Sequence, residues 1–352
     1  MRFALDAEQQ LLQDVIRATL ERDAPLARIR QWGDSEDLAP FNHLAARQGW
    51  SGIGVDDHIG GQGGGMVERA ILFEQLGRAA APNGGLLTSM LALDCGVADK
   101  ALIAGTTQVA VMHAADRSPD CLADIRVDGG SVAGTAALVL NAPAADQLVI
   151  PIATGPTVEL WAVDASAATI ADVRLVDRTR RLGEVTVNCP ATPVAELTAD
   201  RFQHAAARAA TLVAADSLGL ARRTLDLTVS YVREREQFGV AVGSFQAVKH
   251  AAAQMLVDIE ATHSGVYYAA WALEHNQPDG EISAWIAKAF GTQTASKVAD
   301  TALQLHGAIG YTWEYNLHVL FKRAKANVEL YGPPRWYRGR IADALHLTSS
   351  PA

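Results

Sequence analysis

Residues 205–236 read AAARAATLVAADSLGLARRTLDLTVSYVRERE and run into the turn Gln237-Phe238-Gly239, followed by Gly243-Ser244-Phe245-Gln246. Leu212, Val213, Leu220 and Leu227 recur one and two helical turns apart, which predicts a long amphipathic helix with one buried face. Asp216 stands on that same face, four residues from both Leu212 and Leu220. A carboxylate on an apolar stripe costs stability unless it is paired, hydrated or used in chemistry. Two readings stay open: a bundle carboxylate bonded to a neighbouring helix, or a functional acid.

Upstream of this helix the texture is different. Short β-prone runs occupy Gln108 to Met112, Ile125 to Val127, Gln147 to Ile150, Val158 to Val163 and Glu184 to Val187. Turn signals such as Asp128-Gly129-Gly130 and Thr154-Gly155-Pro156 separate them, which predicts a small antiparallel barrel or sandwich ending near Pro190 to Glu196. Further upstream, Glu8 to Arg22 and Val67 to Ala80 carry helix-period apolar residues. Between those two lies Gly60-Gly61-Gln62-Gly63-Gly64-Gly65. No strand precedes it in a βαβ pattern and no Gly-Lys-Ser/Thr follows, so its glycines are expected to turn the backbone beside a neighbouring element rather than to cradle phosphate.

Downstream, Phe245 to Glu274, Ile282 to Leu305 and Tyr315 to Tyr331 predict three more long helices, and four helices with short connections suggest a bundle. The reading is an α+β multidomain chain. A helical domain spans 1–105, a middle antiparallel β-domain, taken as a barrel or sandwich, spans 106–197, and a four-helix bundle spans 198–352.

Composition bounds the function. The 352 residues are 49% hydrophobic, ample for well-formed cores. The formal net charge of -9 argues against nucleic acid, which needs a basic face. Basic clusters such as Arg233-Glu234-Arg235 and Lys322-Arg323-Ala324-Lys325 are expected to be solvated helix faces or sites for a small anion. No apolar run approaches the ~20 residues that span a bilayer, and the start Met1-Arg2-Phe3-Ala4-Leu5-Asp6 lacks a signal-peptide core, so no membrane role and a cytoplasmic location are expected. Cys95, Cys121 and Cys189 have no metal-ligand spacing and suit a reducing compartment. His250, His306 and His318 have no second ligand at a paired spacing, so no metal is expected.

The segment Tyr231-Val232-Arg233-Glu234-Arg235-Glu236-Gln237-Phe238-Gly239 with Gly243-Ser244-Phe245-Gln246-Ala247-Val248-Lys249-His250 resembles the flavin signature of the acyl-CoA dehydrogenase family, which has this same order of helical, β and helical parts. Gln304-Leu305-His306-Gly307-Ala308-Ile309-Gly310-Tyr311-Thr312 is similar to the family segment that approaches the FAD pyrophosphate from a neighbouring subunit. Softer likenesses are Gly49-Trp50 with Gly60-Gly61-Gln62-Gly63, Phe73 to Arg78, and Ala142 to Asp146. The resemblance implies FAD as cofactor, an acyl-CoA thioester as substrate, its oxidation to the trans-2-enoyl-CoA, and an electron-transfer flavoprotein as electron acceptor. A carboxylate base would take the α-proton while the β-hydrogen leaves as hydride to the flavin. By this likeness Arg235, Gln237, Phe238 and Gln246 from one chain and Gln304, Gly307 and Gly310 from another would contact FAD, with His306 beside them. Such a site requires a homo- or hetero-oligomer, a dimer or tetramer.

The chain departs from the family at the base. Counting on from Gly310-Tyr311, the usual Glu position holds Tyr331, and the alternative position early on the long helix holds Ala209. Glu329 lies two residues from the first, which turns it about 160° away on a helix. Asp216, two turns beyond Ala209, is therefore the candidate base. The family's Thr-Glu-Pro-x-x-Gly-Ser-Asp stretch is also missing, and Val111 to Ser118 occupies its region. Shortened members of this kind resemble subunits of heteromeric actinobacterial dehydrogenases of steroid side-chain CoA esters, in which only one of two unlike chains supplies the base; Gly310 to Glu314 carries that likeness. The expectations are a dehydrogenase subunit with Asp216 as base, or a non-catalytic partner completing another chain's flavin site, with flavin-dependent monooxygenation as a third. The run Arg335-Trp336-Tyr337-Arg338-Gly339-Arg340 is expected to be solvated, or to meet CoA phosphates or a partner.

Overall fold

Asp6 opens the first helix, where its carboxylate accepts from the Gln9 amide and the Gln9 side chain accepts from the Asp6 amide, a reciprocal cap. From there the computed structural model describes residues 4–347. Six helices come first: α1 (Ala7–Asp23), α2 (Leu26–Asp34), α3 (Ala39–Arg47), α4 (Met66–Ala79), α5 (Gly84–Asp94) and α6 (Lys100–Ile103). Eight strands follow: β1 (Val109–Val111), β2 (Ile125–Asp128), β3 (Ser131–Leu140), β4 (Gln147–Thr154), β5 (Thr157–Asp164), β6 (Thr169–Val173), β7 (Leu182–Pro190) and β8 (Thr192–Thr198). The rest is α7 (Ala199–Glu234), the short pair β9 (Glu236–Gln237) and β10 (Val240–Ala241), then α8 (Gln246–Glu274), α9 (Gly280–His306), α10 (Leu317–Glu329) and α11 (Pro334–Ala344).

The glycine-rich stretch between α3 and α4 does what its sequence predicts. Gly60, Gly63 and Gly64 take positive φ, and a Cβ on Gly61 would stand 2.1 Å from the Val55 carbonyl oxygen. It is a tight turn, closed by the Val55 and Gly63 bridge.

The strands form two four-stranded sheets in the orders β1-β4-β5-β8 and β2-β3-β7-β6. Met112, Leu148, Ile150 and Val163 meet Val132, Val139, Val185 and Val187 in one core between them. One pairing differs from the antiparallel expectation: β1 runs parallel to β4. The chain between these two builds β2 and β3 in the other sheet, so it re-enters the first sheet in the direction in which it left.

Thr198 caps α7, and the helix runs unbroken for 36 residues. Leu212, Val213 and Leu220 are buried on it, as the periodicity requires. Its buried hydroxyls stay within the helix: Thr211, Ser217, Thr224 and Thr228 each donate to the carbonyl four residues back. The helix packs on α9, α4 and α8, and α4 crosses it at backbone distance. A Cβ on Gly77 would lie 1.9 Å from the Asp216 carbonyl oxygen, and one on Gly219 would lie 1.7 Å from that of Glu74. No described helix is long and apolar enough to cross a membrane.

Candidate active site

Asp216 faces inward from the middle of α7 and is fully buried. Its Oδ1 accepts from Asn83 Nδ2 at 2.8 Å and Arg323 Nη2 at 3.0 Å. Its Oδ2 accepts from Arg180 Nη2 at 3.1 Å, Arg323 Nε at 3.2 Å and Asn327 Nδ2 at 2.6 Å. Burial alone would raise this carboxyl, but the charges of Arg323 and Arg180 outweigh it and hold the group below the usual carboxylate range. A general base near neutral pH needs a raised pKa and an open face toward substrate. Asp216 has neither, which corrects the expectation of a base: the geometry is that of a bundle carboxylate shared by two guanidiniums. Arg323, read in sequence as part of a solvated basic cluster, has no exposed surface at all.

The usual base positions are closed as well. Ala209 is buried, and Tyr331 is buried at a φ of +59°. The Tyr331 amide donates to the Ala115 carbonyl at 2.6 Å, and its own carbonyl accepts from the Tyr337 hydroxyl. Its ring lies 5.1 Å from that of His113. Burial raises the Tyr331 phenol and lowers His113 to about 4, so both are neutral at pH 7. Among the described residues, the Tyr331 hydroxyl and His113 Nε2 are buried without a hydrogen-bond partner. Close by, Lys288 Nζ donates to the carbonyls of Asn327, Val328 and Gly332 and is pulled down to about 7 by burial. Val111 to Ser118, the region of the missing family stretch, is turned into this packing, with Met112, His113, Ala115 and Ser118 all buried.

The carboxy-terminal run is likewise less solvated than expected. Tyr337 is buried, and the Arg340 guanidinium lies over the rings of Trp285 and Trp336 while pairing with Asp120. Helix α11 thus fastens the bundle to the loop ahead of β2.

The turn after α7 is the opposite. Arg235, Gln237, Phe238 and Gln246 are all exposed, and Phe238, at a φ of +55°, is 93% exposed. Gln304 and Gly307 are exposed too, but His306 and Gly310 are buried. His306 stacks on Tyr231 with ring centroids 4.5 Å apart, its Nδ1 against the Ala302 carbonyl and its Nε2 against the Tyr315 hydroxyl. Both ring nitrogens are engaged inside the chain, so the structure does not present this side chain to a cofactor as the sequence reading expected. The stack joins the ends of α7 and α9, which places the Arg235 turn and the Gln304 segment at one end of the bundle. Among described residues the one cluster with metal-ligand spacing is Asp56, Asp57 and His58, all exposed.

Sequence reasoning singled out Asp216 and missed the groups that surround it: Asn83, Arg180 and Asn327. A periodic helix shows which of its residues face inward, and nothing in its own spacing shows what they meet.

The comparisons agree with this architecture. Residues 6–103 match the acyl-CoA dehydrogenase N-terminal domain model, and residues 199–346 match the acyl-CoA dehydrogenase C-terminal domain model. The chain is 30% identical over 336 residues to acyl-CoA dehydrogenase IpdE2 of Mycolicibacterium smegmatis, covering 94% of this chain and 96% of that protein. Among solved structures it is similar to the Tcur3481-Tcur3483 steroid ACAD variant, with a TM-score of 0.85, 26% identity, and coverage of 97% of this chain and 98% of the other. It also shares its fold with the ChsE4-ChsE5 complex from Mycobacterium tuberculosis, at a TM-score of 0.86, 21% identity, and coverage of 99% and 100%. With its helical domain, two-sheet middle and long-helix bundle in family order, the chain belongs to the acyl-CoA dehydrogenases, oxidoreductases that act on CH-CH donors.

Proposed function

We propose that this chain is one subunit of a heteromeric acyl-CoA dehydrogenase that oxidises a bulky acyl-CoA, such as a steroid side-chain ester, and that the base comes from a homologous partner chain. One observation carries the reading: both family base positions are sealed by Tyr331 and Ala209, and the remaining acid, Asp216, is consumed by Arg180 and Arg323. The Tcur3481-Tcur3483 steroid ACAD supplies the analogy for substrate, and it and the ChsE4-ChsE5 complex supply the analogy for assembly from two unlike chains.

The residues fit FAD at the bundle end. A phenylalanine as bare as Phe238 is costly in water unless something covers it, and Arg235 beside it offers a planar fork for phosphate oxygens. Arg235, Gln237, Phe238 and Gln246 would hold the cofactor together with groups of a neighbouring subunit, Gln304 and Gly307 lying on the same end of the chain. Bound there, FAD supplies the acceptor for the hydride that leaves the β-carbon. This chain's part is to bind and orient the flavin, to exclude water and to complete the interface, with an electron-transfer flavoprotein as the onward acceptor.

Expression of the chain alone and with a homologous dehydrogenase chain tests the proposal, with flavin per chain read from the visible spectrum and mass from light scattering. The expected result is little flavin alone, and a yellow complex that oxidises acyl-CoA when the two are co-expressed. Phe238→Ala in that complex should cut bound flavin by about tenfold, the loss of a well-buried aromatic contact. A yellow homo-oligomer of this chain that oxidises acyl-CoA unaided would sink the idea.

A further inference from the structure

About three turns back along α7 from the turn at Arg235, helices α1, α2 and α4 meet it around a cleft of about 250 Å³. Three guanidiniums line this cleft, Arg17, Arg78 and Arg223, against one carboxylate, Glu21. Arg78 is already neutralised by Asp226 at 2.7 Å. Among the described residues Arg223 has no hydrogen bond or ion pair, and Arg17 has one, from Nε to Gln75 Oε1 at 3.1 Å. That bond fixes the Gln75 amide with its oxygen toward Arg17. Gln75 is 1% exposed, so its Nε2 is left buried with two N–H groups and no acceptor. Buried donors without acceptors are rare and costly in folded chains. Leu20, Leu26 and Ala79 add aliphatic groups to the lining.

We propose that this cleft binds a small aliphatic carboxylate, its two oxygens taken by Arg17 and Arg223 and its chain laid on Leu26 and Ala79. The planar two-oxygen anion suits the guanidinium fork, and Arg223, half-buried and without an ion pair among the described residues, is open to such a partner. The aliphatic part of the lining separates this ligand from inorganic phosphate, which would leave it wet. The cleft of about 250 Å³ leaves room for a short chain such as that of hexanoate. None of these residues belongs to the flavin turn, so this site stands or falls apart from the flavin reading.

Calorimetric titration of hexanoate at low salt into the purified full chain, or into its complex if it is isolated as one, tests the site. Hexanol and inorganic phosphate serve as comparison probes, and Arg223→Gln and Gln75→Glu as variants with unchanged circular dichroism. The expected result is saturable binding of one hexanoate per chain and none of hexanol. Arg223→Gln should weaken it at least about tenfold through loss of a charge-assisted bond. Gln75→Glu should abolish it, because the new carboxylate takes Arg17 and repels the ligand. Absence of saturable hexanoate binding, phosphate binding as tightly as hexanoate, or a Kd unmoved by Arg223→Gln overturns the proposal. Should Gln75→Glu fail to fold, Arg223→Gln, at a half-buried edge of the cleft, decides the matter alone.

Discussion

Two guanidiniums inside a dry core share the carboxylate of Asp216, and that fact decides how the residue behaves under mutation. Asp216→Asn keeps the shape and removes the charge, leaving Arg180 and Arg323 under-compensated, so unfolding should cost about 3–5 kcal/mol less than in the parent chain. Urea unfolding measures it. The carboxyl is held below its unfolded value, so its contribution is fully present above about pH 4 and is lost as pH falls through the folded pKa. The gap between parent and variant should therefore be constant near neutrality and shrink in acid below about pH 4. A variant that kept full stability yet lost acyl-CoA oxidation would reinstate Asp216 as a base. At this scale the sequence marked the anomaly, a carboxylate on an apolar stripe, but not its solution. Asn83 lies 133 residues from Asp216 and Arg323 lies 107 away, and no local pattern reports a contact over such separations.

Helices were the legible elements because their apolar residues repeat with the turn of the helix. Strand β3 was not read, since its Ala-Gly-Thr-Ala-Ala centre is poor in the branched residues that mark strands. Strand β6 lies on a sheet edge and exposes most of its residues, so it carries no alternation. Nor did periodicity disclose the crossing of α4 and α7, which depends on two residues with no side chain. Gly219→Ala would drive a methyl group into the Glu74 carbonyl and force the helices apart. The expected loss is about 1–3 kcal/mol or more, read as a lowered Tm. Thermal melts that leave Tm unchanged would mean that the two helices separate without cost, against the close approach seen here.

At the scale of the molecule, the order helical, β, helical was legible from texture alone, whereas the sealing of the base positions was not. Tyr331 could be read as a missing Glu, but its burial depends on His113 and Tyr337, which come from a β-domain loop and from the last helix. The same dispersal governs Asp216, whose partners stand at the start of α5, just before β7 and on α10. Unfolding followed by far-ultraviolet circular dichroism and by tryptophan fluorescence should give coincident transitions, since no region keeps its buried charges balanced without the others. Two separated transitions would show that the regions melt independently. The shared charges also bear on how the chain is made. During synthesis Arg180 emerges before Asp216, and both must wait for Arg323, 107 residues beyond Asp216, so the central core cannot close until α10 has left the ribosome. Until then the nascent chain carries open, half-built interior surface, the condition in which folding intermediates are most exposed to aggregation.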